Sequence, residues 1–505
     1  MFAKIQGRPF KMKKLILFLL IAVFLVQQWV MQTGCATIIP PEGGPRDSLP
    51  PVLVEVDPAD STLNFSGRTI VFNFDEYVDV ENYSREMIVS PIPANMPTVN
   101  RKLRTVTVRL RDTLQPNTTY SINFGKSIKD VNEGNVKKNF NYIFSTGSYF
   151  DSLEFRGNVV LAETGGVDST LTVMLHPTNI DSALIKEKPR YIARLDSSGN
   201  FRFRNLPRDT FYVYALQDEG GGYRYLNTTM LFAFADSAVI VDSATKPVTL
   251  YAYNIEEPEK PASTTTTTTG RGRAADRRLK YTTNLVGNQQ DLLDSFVFVF
   301  ETPIKEFDSS KIRFTRDTSY TLITNHSWRF DSTRKKLSLL YDWVENVEHH
   351  LIMEKDFATD TLGQQLLKGD TIDFRTKQIR DYGKVTLNFR NLDLSGNPVL
   401  QFVQGSEVVR SFRLTSNAFT ESMFSPGEYR LRILNDKNGN GVWDPGQFFG
   451  ERKQPEIVKP IHRVLNIRPG VDNRFDIDVT APPRPEPRNQ QQQQFPTLPG
   501  RRGRF

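Results

Sequence analysis

Thr69-Ile-Val-Phe-Asn-Phe74 and Thr105-Val-Thr-Val-Arg-Leu110 decide the fold. Both place β-branched or aromatic residues at nearly every second position, the pattern of a strand with one face in a core. Tyr120-Ser-Ile-Asn-Phe124 and Asn141-Tyr-Ile-Phe144 continue it. Turn formers stand between the runs: Pro58, Gly67, Pro116-Asn117 and Asn132-Glu-Gly-Asn135. Short strands at regular spacing, with no helical-period stretch of comparable length, predict an antiparallel β-sandwich.

Motifs in the same window carry a resemblance. Pro50-Pro-Val52, Val56-Asp-Pro58, Phe74-Asp-Glu76, Leu114-Gln-Pro-Asn-Thr-Thr-Tyr120, Asp130-Val-Asn-Glu-Gly-Asn135 and Phe144-Ser-Thr146 follow one another in the order of the bacterial Ig-like domain. Residues 50–147 are therefore similar to that family, which implies an Ig-like sandwich. With the stretch from Cys35 to Pro51, they resemble lipoproteins of the Bacteroidetes type that carry such a domain at the N-terminus.

Residues 150–255 follow a different order. Phe155-Arg-Gly-Asn-Val-Val160 opens a strand, and Arg194-Leu-Asp-Ser-Ser-Gly-Asn-Phe-Arg-Phe203 reads as a hairpin turning at Ser198-Gly-Asn200. Leu206-Pro-Arg-Asp-Thr-Phe-Tyr-Val213 follows. The segment is similar to the prealbumin-like domain of carboxypeptidase regulatory modules, with Arg208 and Asp209 standing where that family usually has a glycine. Residues 256–280, with six consecutive threonines at 264–269 and then Gly-Arg repeats, offer nothing to pack and are expected to be a flexible linker.

Beyond the linker the order returns. Phe296-Val-Phe-Val-Phe-Glu301 parallels the strand ending at Glu76, Asp360-Thr-Leu-Gly-Gln364 parallels the Asp130 loop, and Phe374-Arg-Thr376 parallels Phe144-Ser-Thr146. From Glu76 to Thr146 is 70 residues, and from Glu301 to Thr376 is 75. Tyr382-Gly-Lys-Val385 and Phe424-Ser-Pro-Gly-Glu-Tyr429 parallel the second segment in the same way. The expected fold class is all-β: tandem β-sandwich modules, Ig-like and prealbumin-like, arranged as a duplicated two-domain pair. The expected boundaries are 1–34 for a signal peptide, 35–49 for a lipidated tether, 50–147, 150–255, a 256–280 linker, 281–377, 380–480 and a disordered tail at 481–505.

The chain of 505 residues carries a formal charge of +7. Five of the positives (Lys4, Arg8, Lys11, Lys13 and Lys14) lie in residues 1–34 with no acid beside them, so cleavage before Cys35 leaves only +2. That removes the main argument for a nucleic-acid partner. The apolar run Leu15–Val26 is twelve residues long, which suits a signal-peptide core and falls short of the ~20 residues of a membrane span. Gly34-Cys35 resembles a lipobox, although Gln32 stands where that motif has an aliphatic residue. Cys35 is the chain's single cysteine and has no intramolecular partner for a disulfide. Lipidation at Cys35, with attachment to a membrane, is its expected role; an uncleaved signal anchor is the alternative.

One stretch carries ligand chemistry. Asp436-Lys-Asn438-Gly-Asn440-Gly-Val-Trp-Asp444 spaces oxygen ligands at positions 1, 3, 5 and 9 with glycine at 6, as a calcium loop does. Asp436, Asn438, Asn440 and Asp444 are thus the candidate metal ligands, and calcium the candidate cofactor. Gln447 replaces the sealing glutamate, and a plain hairpin turn on Asn440-Gly441 is the competing reading. Trp443 beside it is a candidate ring for sugar or protein contact. His349 and His350, being adjacent on a strand, are expected on opposite faces, where they cannot share a metal. Glu76 and Glu301 end equivalent strands and read as structural. No catalytic residue is assigned.

The expected function is a non-enzymatic outer-membrane lipoprotein, at the cell surface or on the periplasmic face, whose modules scaffold or bind other envelope proteins. A carbohydrate-binding accessory lipoprotein, with a glycan as partner, is one alternative, and a subunit of an outer-membrane assembly or secretion complex is another.

Overall fold

The computed structural model describes residues 46–218, 220–255 and 278–482, together with Ile21, Val23 and Gln27, which are helical. Cys35, the linker at 256–277 and the tail from 483 lie outside the described residues. No helix among the described residues is long and apolar enough to cross a membrane. The described chain is almost entirely β-strand, folded around four separate apolar cores.

In the first core one sheet runs Leu53–Asp57, Thr69–Phe74, Thr105–Arg109, Thr98–Lys102, all antiparallel. It faces a second sheet of Ile88–Ser90, Thr119–Asn123 and Asn141–Ser145. Alternation decides what each strand buries. Ile70, Phe72 and Phe74 point inward from one sheet, and Ile122, Tyr142 and Phe144 from the other. The Phe72 and Tyr142 rings meet edge to face at 5.3 Å.

The second core lies between two sheets of different construction. Leu153–Leu161 pairs antiparallel with Asn200–Leu206 and parallel with Val248–Ala252. Opposite it stand Tyr191–Arg194, Leu171–His176, Asp209–Gln217 and Phe232–Phe234. Tyr191–Arg194 and Asn200–Leu206 belong to different sheets and do not pair. The turn at Ser198-Gly-Asn200 is therefore not the expected hairpin within one sheet but a corner that carries the chain from one sheet to the other. Asp196 holds that corner by accepting from Ser198 N at 2.8 Å and Asn200 N at 2.9 Å.

The third and fourth cores repeat the first and second at the level of single hydrogen bonds. In the first core, the Asp130 carboxylate accepts from the backbone of Glu133, Gly134 and Asn135 at 2.6–2.8 Å. In the third, Asp360 accepts from Leu362 and Gln364 at 2.9 and 2.8 Å. The Thr146 hydroxyl accepts from Thr118 N at 3.0 Å, and the Thr376 hydroxyl accepts from Val347 N at 2.9 Å. In the fourth core Gly383–Arg390 pairs antiparallel with Ala418–Phe424 and parallel with Asp472–Asp478, as Leu153–Leu161 does with its own neighbours. Gly157 and Gly383, matched in the sequence, are not equivalent in register: Gly383 faces Phe424 at the end of its partner strand, as Leu153 faces Leu206, whereas Gly157 faces Phe201. A Cβ would stand 2.1 Å from Val248 O at one and 2.4 Å from Arg468 O at the other. Leu279, inside the expected linker, is buried in the third core.

Short polar ties join neighbouring sandwiches. Ile92 N donates to Arg190 O at 2.8 Å between the first and second. Between the third and fourth, the Tyr382 hydroxyl donates to Asp291 at 2.8 Å, and Arg410 donates to Leu293 O at 3.4 Å.

Candidate functional site: a self-closed acidic turn and the arm it carries

The Asp436 stretch lies between the strands Gly427–Asn435 and Ile457–Ile467, which pair with each other. The chain leaves the sheet at Asp436 and returns after Glu456. Asp436 is fully buried, and its carboxylate accepts from Gly439 N at 2.7 Å, Asn440 N at 3.2 Å and Gly441 N at 2.7 Å. The side-chain amides of Asn438 and Asn440 donate to Asp444 at 2.5 and 2.9 Å. Their oxygens accept from Asn440 N and Val442 N. Glu456, also buried, closes the base by accepting from Lys437 N at 2.8 Å and Asp444 N at 3.3 Å.

The fold thus gathers all four sequence-predicted ligands into one turn, where protein donors already reach both oxygens of Asp436 and one of Asp444. The hairpin alternative is corrected. Gly439 and Gly441 take positive φ (76° and 81°), whereas Asn440 does not, so the two-residue Asn-Gly geometry is absent. Trp443 packs on its own domain with Val399, Leu434 and Val458, and its indole N–H donates to Glu456 O at 2.8 Å.

What the turn supports was not visible in sequence. Residues 445–456 form an arm that reaches the second sandwich. Phe448, 3 % exposed, lies with ring centroids 5.2–5.7 Å from Phe232, Phe234 and Tyr214. Phe449 stacks on Tyr225 at 5.6 Å. Arg452 covers the Phe448 ring at 4.6 Å and reaches Asp181 at 2.6 Å and Asn179 at 2.9 Å. Gln454 donates to Phe234 O at 2.9 Å, and Val458 N donates to Ala162 O at 2.8 Å. The second and fourth sandwiches therefore share an apolar cluster of their own. Aromatic residues in an otherwise polar loop, Gln447-Phe-Phe449, are the one signal that pointed to it.

The other residues singled out from the sequence stay apart. His349 and His350 do point to opposite faces. His349 is buried among Phe314, Trp343 and Phe374, and burial holds its pKa down at about 4. His350 lies under Tyr320 with Nδ1 2.6 Å from Asp373. Glu76 has its pKa raised, by burial first and then by the carboxylates of Asp130 and Asp75. Glu301 is exposed and lies 3.7 Å from Lys280. Among the described residues no group of three His, Cys, Asp or Glu side chains is placed to hold a metal ion.

A cleft of ≈ 1040 Å³ separates the first and second sandwiches. One wall carries Ile88, Ser121 and Asn141 from the first sandwich, and the other carries the strand Asn200–Leu206 of the second. That strand pairs on one side only, so its free edge faces the cleft. The alternation Phe201-Arg-Phe-Arg204 puts the rings in the core and the guanidinium groups outside. This was readable in the sequence, but the cleft itself depends on how two domains meet.

Residues 47–146 match the family model for a bacterial Ig-like domain. No curated protein matches the chain. Among solved structures, the chain is similar to the Bacillus anthracis TIE protein, at 11% identity over 87% of this chain and 76% of that one, with a TM-score of 0.17. It is also similar to BcpA, the major pilin subunit of Bacillus cereus, at 9% identity over 64% and 99%, with a TM-score of 0.16. A third is the S-layer protein rSbsC(31-844), at 10% identity over 85% and 54%, with a TM-score of 0.15. At scores this low no property of those proteins transfers to this chain.

Proposed function

Starting from a first domain that matches the bacterial Ig-like family, we propose that the chain is a non-enzymatic envelope lipoprotein, held to the outer membrane through Cys35 and serving as a scaffold for other envelope proteins. The observation that carries this reading is the interlocked construction. Four sandwiches are tied in pairs, and the fourth is clasped to the second by the Phe448 arm. Such a construction gives fixed spacing between surfaces rather than a moving active site. The short apolar run and Gly34-Cys35 support the anchor, since acyl chains contribute ~0.8 kcal/mol per buried CH₂ and two or more hold a protein stably on a membrane. Within this reading calcium at the Asp436 turn is a proposal too: an ion would take the place of the two amide donors on Asp444.

Cell fractionation of a Cys35→Ala variant tests the anchor. The variant is expected to leave the membrane fraction. If it stays there with an unprocessed mass, the chain is a signal-anchored protein and the lipoprotein reading is wrong.

A further inference from the structure

The cleft between the first two sandwiches has a charge pattern that its own residues do not neutralise. Arg156, Arg202 and Arg204 share a single carboxylate, Glu154, at 2.6, 2.5 and 3.9 Å. A guanidinium presents five N–H donors and a carboxylate about four acceptor sites, so three arginines on one glutamate leave most donors open. Their side chains are 58%, 40% and 64% exposed, and those open donors face water. Arg194 is paired with Glu86 at 3.2 Å. The one other acid in the lining, Asp196, is committed to its own turn. The cleft therefore favours an anionic ligand, and forked guanidinium groups favour carboxylate or phosphate.

The rest of the lining narrows the class. Asn139 and Asn141 face the cleft, and their side chains have no hydrogen-bond partner among the described residues. A carboxamide offers donor and acceptor together, which matches a hydroxyl group. The aromatic residues of the lining, Tyr191, Phe201 and Phe203, are buried and turned into the second core, so the cleft offers no exposed ring as an anchor for a protein partner. Its ≈ 1040 Å³ lies at the top of the ~300–1,000 Å³ range of small-molecule sites, room for an oligomer rather than a single sugar.

We propose that this cleft binds a carboxylated glycan chain, with its carboxylates on Arg156, Arg202 and Arg204 and its hydroxyls on Asn139 and Asn141. The site goes beyond the scaffold reading and does not depend on lipid at Cys35.

Calorimetric titration of the full-length chain in detergent tests it, with oligogalacturonate, poly-L-glutamate and neutral dextran as probes. Oligogalacturonate is expected to bind, and the double charge reversal R202E/R204E to weaken that binding by about tenfold or more. Because both side chains stand outside the core, circular dichroism should show the variant folded. N139A/N141A is expected to weaken oligogalacturonate and leave poly-L-glutamate unchanged, a result that mere charge attraction would not give. The proposal is overturned if oligogalacturonate does not bind at millimolar concentration, or if both variants bind it like the parent chain. It is equally overturned if dextran binds as well, or if poly-L-glutamate binds more tightly, which would make the cleft an acidic-peptide site. A Cys35→Ala chain that leaves the membrane and still binds would separate this site from the anchor.

Discussion

Two buried histidines set a pH dependence that single residues can test. Burial lowers His176 and His349 from 6.5 to about 4, so both are neutral in the fold at neutral pH. Unfolded, each takes up a proton near pH 6.5. Between pH 6.5 and 4 the unfolded state therefore holds the extra proton, and stability falls as the pH falls. The drop to about 4 corresponds to ~3 kcal/mol per histidine once pH 4 is reached, by the rule of ~1.4 kcal/mol per pH unit. His349→Phe keeps a ring among Phe314, Trp343 and Phe374 and should flatten this slope for the third domain. Urea denaturation at pH 7.5 and pH 5, followed through Trp328 and Trp343 emission, checks it. An unchanged slope would locate the proton uptake elsewhere. At this scale the sequence was highly legible. The opposite faces of His349 and His350 followed from strand alternation. The paired roles of Asp130 and Asp360 followed from matched spacing, because hydrogen bonds to backbone within five residues need only local sequence. Thr146 and Thr376 accept from backbone 28 and 29 residues away, and only the repeated order of motifs pointed to their likeness.

Among elements, legibility divides between local and non-local structure. The strand at Thr69–Phe74 and its repeat at Phe296–Phe300 could be read because one strand fixes its own alternation. The corner at Ser198-Gly-Asn200 was misread as a hairpin because turn residues determine that the chain reverses, not which sheet receives it. The Asp436 turn has the composition of an ion loop, yet its carboxylate is already met by three backbone N–H groups. Asp436→Ala would remove the acceptor of three N–H groups at a partly buried site, at a cost of about 1–3 kcal/mol, and should lower the melting temperature of the fourth domain. Calcium, if bound, should hold the turn weakly, with a dissociation constant on the order of 10⁻⁴–10⁻³ M because the sealing glutamate is replaced by Gln447. Millimolar calcium would then raise the melting temperature of the parent chain and leave the Asp436→Ala variant unmoved. A scanning-calorimetry trace that calcium does not shift would reduce the turn to a brace for the arm.

For the whole molecule, the arm changes what the duplication means. Two Ig-like and prealbumin-like pairs joined only by 256–277 would be independent once that segment is cut. The Phe448 cluster makes a second connection, from the fourth sandwich back to the second, that no local pattern announces because its partners lie more than 200 residues away. A protease site introduced into the threonine run at 264–269 should accordingly give two fragments that still elute together in size-exclusion chromatography. Phe448 is buried among Tyr214, Phe232 and Phe234, so Phe448→Ala should cost the docked state about 3–5 kcal/mol, the range for deleting a buried phenyl ring. Combined with Arg452→Glu, which sets a carboxylate against Asp181, it should separate the cleaved halves while each keeps its own cores. Halves of the parent chain that part on cleavage would show the arm to be too weak to hold the pair together. Halves that remain joined after both substitutions would place the main connection outside the arm.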